Sequence, residues 1–153
     1  MTHSFIRTLQ LSLVALVAVA AVACDEKLSD VAGPSPNLEP TFTSIQHEIF
    51  ESRDASGRAA CIECHTDAGR TPSGGLNLRH DLAYTSIVNV ASRGKAGAIR
   101  VVPSDPADSY LLQKVEGAPD IVGERMPRTG GPYLTPGQIL IMRRWIELGA
   151  KND

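Results

Sequence analysis

Cys61, Cys64 and His65 fall within the five residues CIECH, so two thiols three positions apart are followed directly by an imidazole. Three chemistries use that pattern: a zinc site, a dithiol redox pair, and a haem attached through its vinyl groups. Structural zinc sites draw ligands from two spaced pairs. Here the second pair would have to come from His47, His65 and His80, which do not form one. A dithiol oxidoreductase needs a strand–helix–strand context, whereas CIECH lies between a predicted helix and a Gly-rich loop, and His65 would go unused. Covalent haem uses all three side chains: the thiols become thioethers and the histidine lies beneath the iron as its proximal ligand. A helical turn puts Cys61 and Cys64 on one face with His65 beside it. The plain alternative is a reduced or disulfide-bonded pair next to an incidental histidine.

A second axial ligand would come from Met126, Met142, His47 or His80. Met126 lies in GERMPRTGGPYL, where Pro127, Gly130, Gly131 and Pro132 exclude regular structure. Loops of this kind present side chains to sites, so Met126 is the expected ligand and His80 the runner-up. Met142 shares a helical face with Ile139 and Ile146 and reads as core. His47 is expected to face solvent while Ile45 and Ile49 pack inward. Arg100, Arg125 and Arg128 are candidates to pair with haem carboxylates, or else ordinary solvated arginines.

The elements that must position these residues follow from local patterning. A first helix is predicted over Thr43–Phe50. A second has Asp105 as its cap, Pro106 at its first position, and Tyr110, Leu111 and Val115 on its apolar side. A third runs from Thr135 to Gly149, with Thr135 and Gln138 as a capping box and Pro136 at the first helical position. SIVNV and AIRVV, on either side of a Gly-containing turn, read as a short two-stranded β-ribbon or as extended loop. After the leader, the aromatic residues are only Phe42, Phe50, Tyr84, Tyr110, Tyr133 and Trp145. Without a bound apolar plate the core of so small a domain is thin.

Residues 1–23 read as a signal peptide: Arg7, then an apolar run from Leu11 to Ala23 broken only by Ser12. The run is too short for a permanent span of a core about 30 Å thick. Its end, AVAVAAVAC, is similar to the lipobox of bacterial lipoproteins, which implies acylation of Cys24 and cleavage before it. Ala21 stands where that family usually has Leu, which leaves ordinary cleavage after Ala23 as the alternative. Residues 24–40 are acidic and broken by Pro and Gly, a flexible tether, and residues 41–150 form one domain. With 15 Lys and Arg against 17 Asp and Glu, and no basic tract or aromatic platform, nucleic acid is excluded as a partner.

In order, the helix before CIECH, Gly74-Gly75, PSDPADSYLLQKV (residues 103–115), Arg125-Met126-Pro127 and a last helix bearing Trp145 resemble single-haem class I-type cytochrome c domains of bacterial exported proteins. The resemblance implies a mainly α, cytochrome c-like domain around one covalent haem c, held by Cys61 and Cys64, with His65 and Met126 on the iron. It further implies an electron-transfer protein rather than an enzyme, with redox proteins as donor and acceptor, on the extracytoplasmic (periplasmic) face of a membrane reached through Cys24. Two alternatives stay open: a haem subunit docked on a larger oxidoreductase, and a sensor or peroxidase with a labile distal ligand.

Overall fold

The computed structural model describes residues 38–153. The predicted signal peptide, Cys24 and most of the tether therefore lie outside the described residues. Four α-helices follow in order: α1 (Phe42–Ile45), α2 (Ala83–Ile87), α3 (Tyr110–Glu116) and α4 (Pro136–Glu147). A π-helical turn, Gln46–Phe50, continues α1, and 3₁₀ turns occupy Cys61–Glu63 and Ser73–Gly75. The fold is mainly helical, with no strand among the described residues. No helix among them is long and apolar enough to cross a membrane.

α4 starts where its sequence requires. Thr135 Oγ1 accepts from the Gln138 amide at 3.2 Å, and Gln138 Oε1 accepts from the Thr135 amide at 3.0 Å. Gly149, at φ +99°, takes the left-handed conformation just past the helix end. The inward face of α4 carries Met142, Trp145 and Ile146, all buried, while Ile139 is half-buried against the same core. Trp145 lies 5.6 Å from the Phe42 ring, and Phe42 meets Tyr84 edge-on at 5.2 Å. The Trp145 indole donates to Lys151 O at 2.8 Å, so the largest core side chain leaves no polar atom stranded.

The structure settles one open reading and corrects the start of another element. Of the two readings of the 86–90 and 98–102 runs, extended loop is the one observed: they exchange backbone hydrogen bonds such as Asn89 to Val101 O and Arg100 to Val90 O, but form isolated bridges, Val88↔Val101 and just beyond it Ala91↔Ile99, and no ladder. Asn89 adopts φ +56°, which breaks the pleat that a ladder needs. The helix expected to be capped by Asp105 begins later, at Tyr110. Asp105 Oδ1 instead accepts from the Asp108 amide in a turn. The first amides of α3, those of Tyr110 and Leu111, donate to Ile99 O and Arg100 O at 2.9 and 2.8 Å. The 98–102 run therefore takes the place of a cap and fixes where the helix starts. The first helix also differs, because its second half is π rather than α.

The described segment closes on itself. The Phe42 amide donates to Asp153 Oδ1 at 2.8 Å, and the Thr43 amide and hydroxyl donate to Asp153 O at 2.9 and 2.7 Å.

Candidate functional site

CIECH forms a 3₁₀ turn because its backbone bonds close within three or four residues: the Cys64 and His65 amides both donate to Cys61 O, at 3.3 and 3.0 Å. Glu63 Oε1 accepts from the Ala60 amide at 2.8 Å and holds the entry to the turn. Both cysteines are free thiols, Cys61 half-buried and Cys64 exposed. Cys61 Sγ donates to Ile49 O at 3.5 Å and has Arg58 Nη1 at 3.9 Å. Burial pushes the Cys61 thiol up, and the charge of Arg58 opposes that.

Arg58 was not singled out in the sequence, although it stands three residues before the motif. It is fully buried and ion-paired to Asp54 at 3.1 Å. Its guanidinium also donates to Ile49 O, Ser52 O and Ala59 O, which ties the end of the π-turn to the approach to Cys61.

The His65 ring is oriented by Ser73, whose carbonyl accepts from Nδ1 at 2.9 Å. The proton then sits on Nδ1 and the lone pair on Nε2. Burial lowers the His65 pKa, the bond to Ser73 works against it, and the positive charge of Arg100 lowers it again. A neutral imidazole with a free Nε2 and a carbonyl-bound Nδ1 is the form in which histidine binds metals. Ser73 is in turn fixed by donating its amide to Cys64 O at 3.1 Å.

On the other side, the Met126 amide donates to Lys114 O at 2.9 Å. Lys114 Nζ donates to Val122 O at 3.0 Å and to Glu124 O, and the Val122 amide donates to the Tyr110 hydroxyl at 2.9 Å. Side chains of α3 thus hold the Met126 loop. Arg125 is occupied locally: its Nε donates to Val115 O at 2.8 Å and its guanidinium lies 4.2 Å over the Tyr133 ring.

Between these walls lies a cavity with two lobes of about 290 and 420 Å³. Taken together they fall within the roughly 300–1,000 Å³ usual for small-molecule and cofactor sites. Cys61, His65 and Met126 line both lobes, Cys64 lines only the second, and Met142 only the first. Met142 is thus core, as expected, but it also forms part of one wall. His47 and His80 line neither lobe; both are exposed and face Glu51 instead.

Arg100 lines the first lobe and is buried, with guanidinium bonds to Ser86 O, Gly74 O and Gly75 O at 2.6, 3.2 and 3.0 Å. No carboxylate pairs with it among the described residues. Gly74 and Gly75, at φ +63° and +61°, supply the carbonyl pair that receives it. Burial, with Arg93 nearby, lowers the Arg100 pKa, yet arginine stays protonated. Its charge at an apolar cavity wall is suited to an anionic group. Arg128 is exposed at the mouth and pairs loosely with Glu124 at 3.7 Å.

Fold and site together define a small, mainly helical domain around an apolar cavity walled by two thiols, an oriented imidazole and a thioether. No protein-family model, characterised protein or solved structure matches the chain.

Proposed function

We propose that the chain is a membrane-tethered c-type cytochrome that passes single electrons between redox proteins. The observation that carries this reading is the convergence of Cys61 and His65, from the CIECH turn, and Met126, from a loop about sixty residues further on, on one cavity.

The residues fit a haem by their chemistry. The thiols are free, Nε2 of His65 carries a lone pair, Met126 offers a soft sulfur, the wall is apolar, and Arg100 puts a positive charge at it that suits a carboxylate. Cys61 and Cys64 would hold the group as thioethers, and His65 and Met126 would supply nitrogen and sulfur ligands to its iron. When bound, haem c supplies a one-electron ferric/ferrous couple, and methionine ligation raises its potential. Ser73 fixes the tautomer of His65 and keeps Nε2 unprotonated. Lys114 and Tyr110 hold the Met126 loop against α3, so both ligand positions are braced by backbone hydrogen bonds and need little rearrangement when charge changes. Leu78, Phe50 and Leu134 exclude water from the cavity wall. The exported signal and a lipidated Cys24 would put this domain on the extracytoplasmic face of a membrane.

The test is protein matured in a host that attaches haem. After denaturation and acid–acetone extraction, mass spectrometry should still find one haem on the chain, and its complete loss would overturn the reading. In Met126→Ala the sulfur-to-ferric-iron band in the near infrared should vanish, the potential should fall, and carbon monoxide should bind. Persistence of the band there, with loss in Met142→Leu, would move the ligand to Met142.

A further inference from the structure

Outside the cavity, His47, Glu51 and His80 bring two imidazoles and a carboxylate together on the surface, with one donor atom from each lying within 4.8 Å of the others. His47 Nδ1 is 3.3 Å from Glu51 Oε2, and His80 Nδ1 is 3.4 Å from Glu51 Oε1. The two imidazole rings are 5.2 Å apart, inclined at 39°. From these contacts we infer a surface metal site, for a divalent transition ion of the zinc type, with His47, His80 and Glu51 as its ligands.

The distances favour a shared ion over simple ion pairs. Charge-assisted N–H···O bonds close to about 2.7–2.9 Å, and both contacts here are longer. Donor atoms at about 2.0–2.1 Å from a tetrahedral zinc stand roughly 3.3–3.4 Å from one another, and each imidazole nitrogen already stands at that distance from one Glu51 oxygen, His47 from Oε2 and His80 from Oε1. The histidine donor atoms lie within 4.8 Å of each other, and both side chains are more than half exposed, which leaves them room to turn toward a shared ion.

The carboxylate is already oriented. Gln46, 1 % exposed, donates from Nε2 to Glu51 Oε1 at 2.7 Å and to Leu78 O at 2.8 Å. Outer partners of this kind fix the ligands of metal sites. The backbone bears on it too: His47 lies in the π-helical turn Gln46–Phe50, and Glu51 follows it directly with its amide bonded to Gln46 O. Such turns are frequent at functional sites. Two imidazoles and one carboxylate suit zinc, copper or nickel and discriminate against magnesium and calcium, which prefer all-oxygen shells. With His47 and His80 exposed, solvent can fill the remaining position.

Such an ion would join the end of the first helix to His80, three residues before α2. The intervening segment, residues 52–79, carries Cys61, Cys64, His65 and Gly74-Gly75, so the ion would close the loop that holds the thiol–imidazole motif. The inference does not depend on haem.

The test uses untagged full-length protein, with any free thiol capped by iodoacetamide so that Cys61 and Cys64 cannot compete. Titration calorimetry with Zn²⁺ alone should give one equivalent in the wild type. His47→Gln and His80→Gln should each weaken binding by about tenfold or more, and excess Mg²⁺ should not compete. Zn²⁺ should also raise the thermal midpoint of the wild type and leave that of His80→Gln unmoved. Absence of binding in the wild type, undiminished binding in both histidine variants, or equal competition by Mg²⁺ would overturn the inference.

Discussion

Replacing Arg58→Leu should destabilise the domain by about 3–5 kcal/mol, the usual cost of removing one member of a buried ion pair. Arg58 is 0 % exposed and the Asp54 side chain 6 % exposed, so solvent screening takes little away. The substitution leaves the Asp54 carboxylate without its cation and removes the guanidinium donor from Ile49 O, Ser52 O and Ala59 O. Each buried acceptor left bare costs about 1–3 kcal/mol unless water reaches it, which puts the upper half of the range within reach. Domains of this size have only about 5–15 kcal/mol in total, so the variant should sit near the edge of folding.

Urea unfolding followed by far-ultraviolet circular dichroism, at pH 7, measures the loss. The pH dependence gives a second check. Burial pushes the Asp54 carboxyl up, but hydrogen bonds from Ser56 and Arg58 and the charge of Arg58 outweigh it, so the folded pKa is lowered. A lowered carboxyl pKa contributes stability that is fully present above the unfolded value, about 3.9. That stability is lost as the pH falls through the folded value. The gap between wild type and variant should therefore be constant from pH 7 to about 5 and narrow below about 4. A loss under about 1 kcal/mol, or a gap that widens in acid, would refute this account of the pair.

Thr135→Ala should cost about 1 kcal/mol by removing the cap on the Gln138 amide, measured by the same urea titration. Gly117→Ala should cost about 1 kcal/mol or more and shift the near-infrared sulfur–iron band of the matured protein. Gly117 sits at φ +75°, and an added Cβ would stand 2.7 Å from Arg125 Cδ, next to Met126. Cys24→Ser should move the protein from the membrane fraction to the soluble one on cell fractionation. A wild type that washes off membranes in salt and carries an unmodified Cys24 would instead indicate ordinary signal cleavage.

Local signals carried much of this fold. Thr135, Pro136 and Gln138 act within one turn, and their reading survives intact because no distant group competes for those amides. Helical spacing likewise identified Met142 and Ile146 as inward-facing. Asp105 misled because a cap is only one way to satisfy the first amides of a helix, and Ile99 and Arg100, distant from that turn, satisfied them instead. The ribbon failed at Asn89, whose left-handed backbone is permitted by its residue type but not required by it. At the candidate site, CIECH and Met126 could be singled out by residue type and spacing, and they line a shared cavity. Their supports, Ser73, Arg58 and Lys114, were not, since each acts through a main-chain carbonyl or a buried contact that leaves no periodicity in the sequence. Glu51 meeting both His47 and His80 was equally hidden, because the meeting joins a helix end to a residue far along the chain.

The clasp between Phe42, Thr43 and Asp153 makes the path of the described segment nearly circular. A short Gly/Ser bridge from residue 153 to residue 41 would complete the ring, and the exposed Pro119–Asp120 peptide offers a place to open it elsewhere. Such a permutant would keep every wall of the cavity in one polypeptide while reversing the order in which its halves leave the ribosome. The segment bearing Met126 and α4 would emerge before the one bearing CIECH. The two halves could then be made and joined in either order, so their assembly around the cavity becomes separable from their order of synthesis.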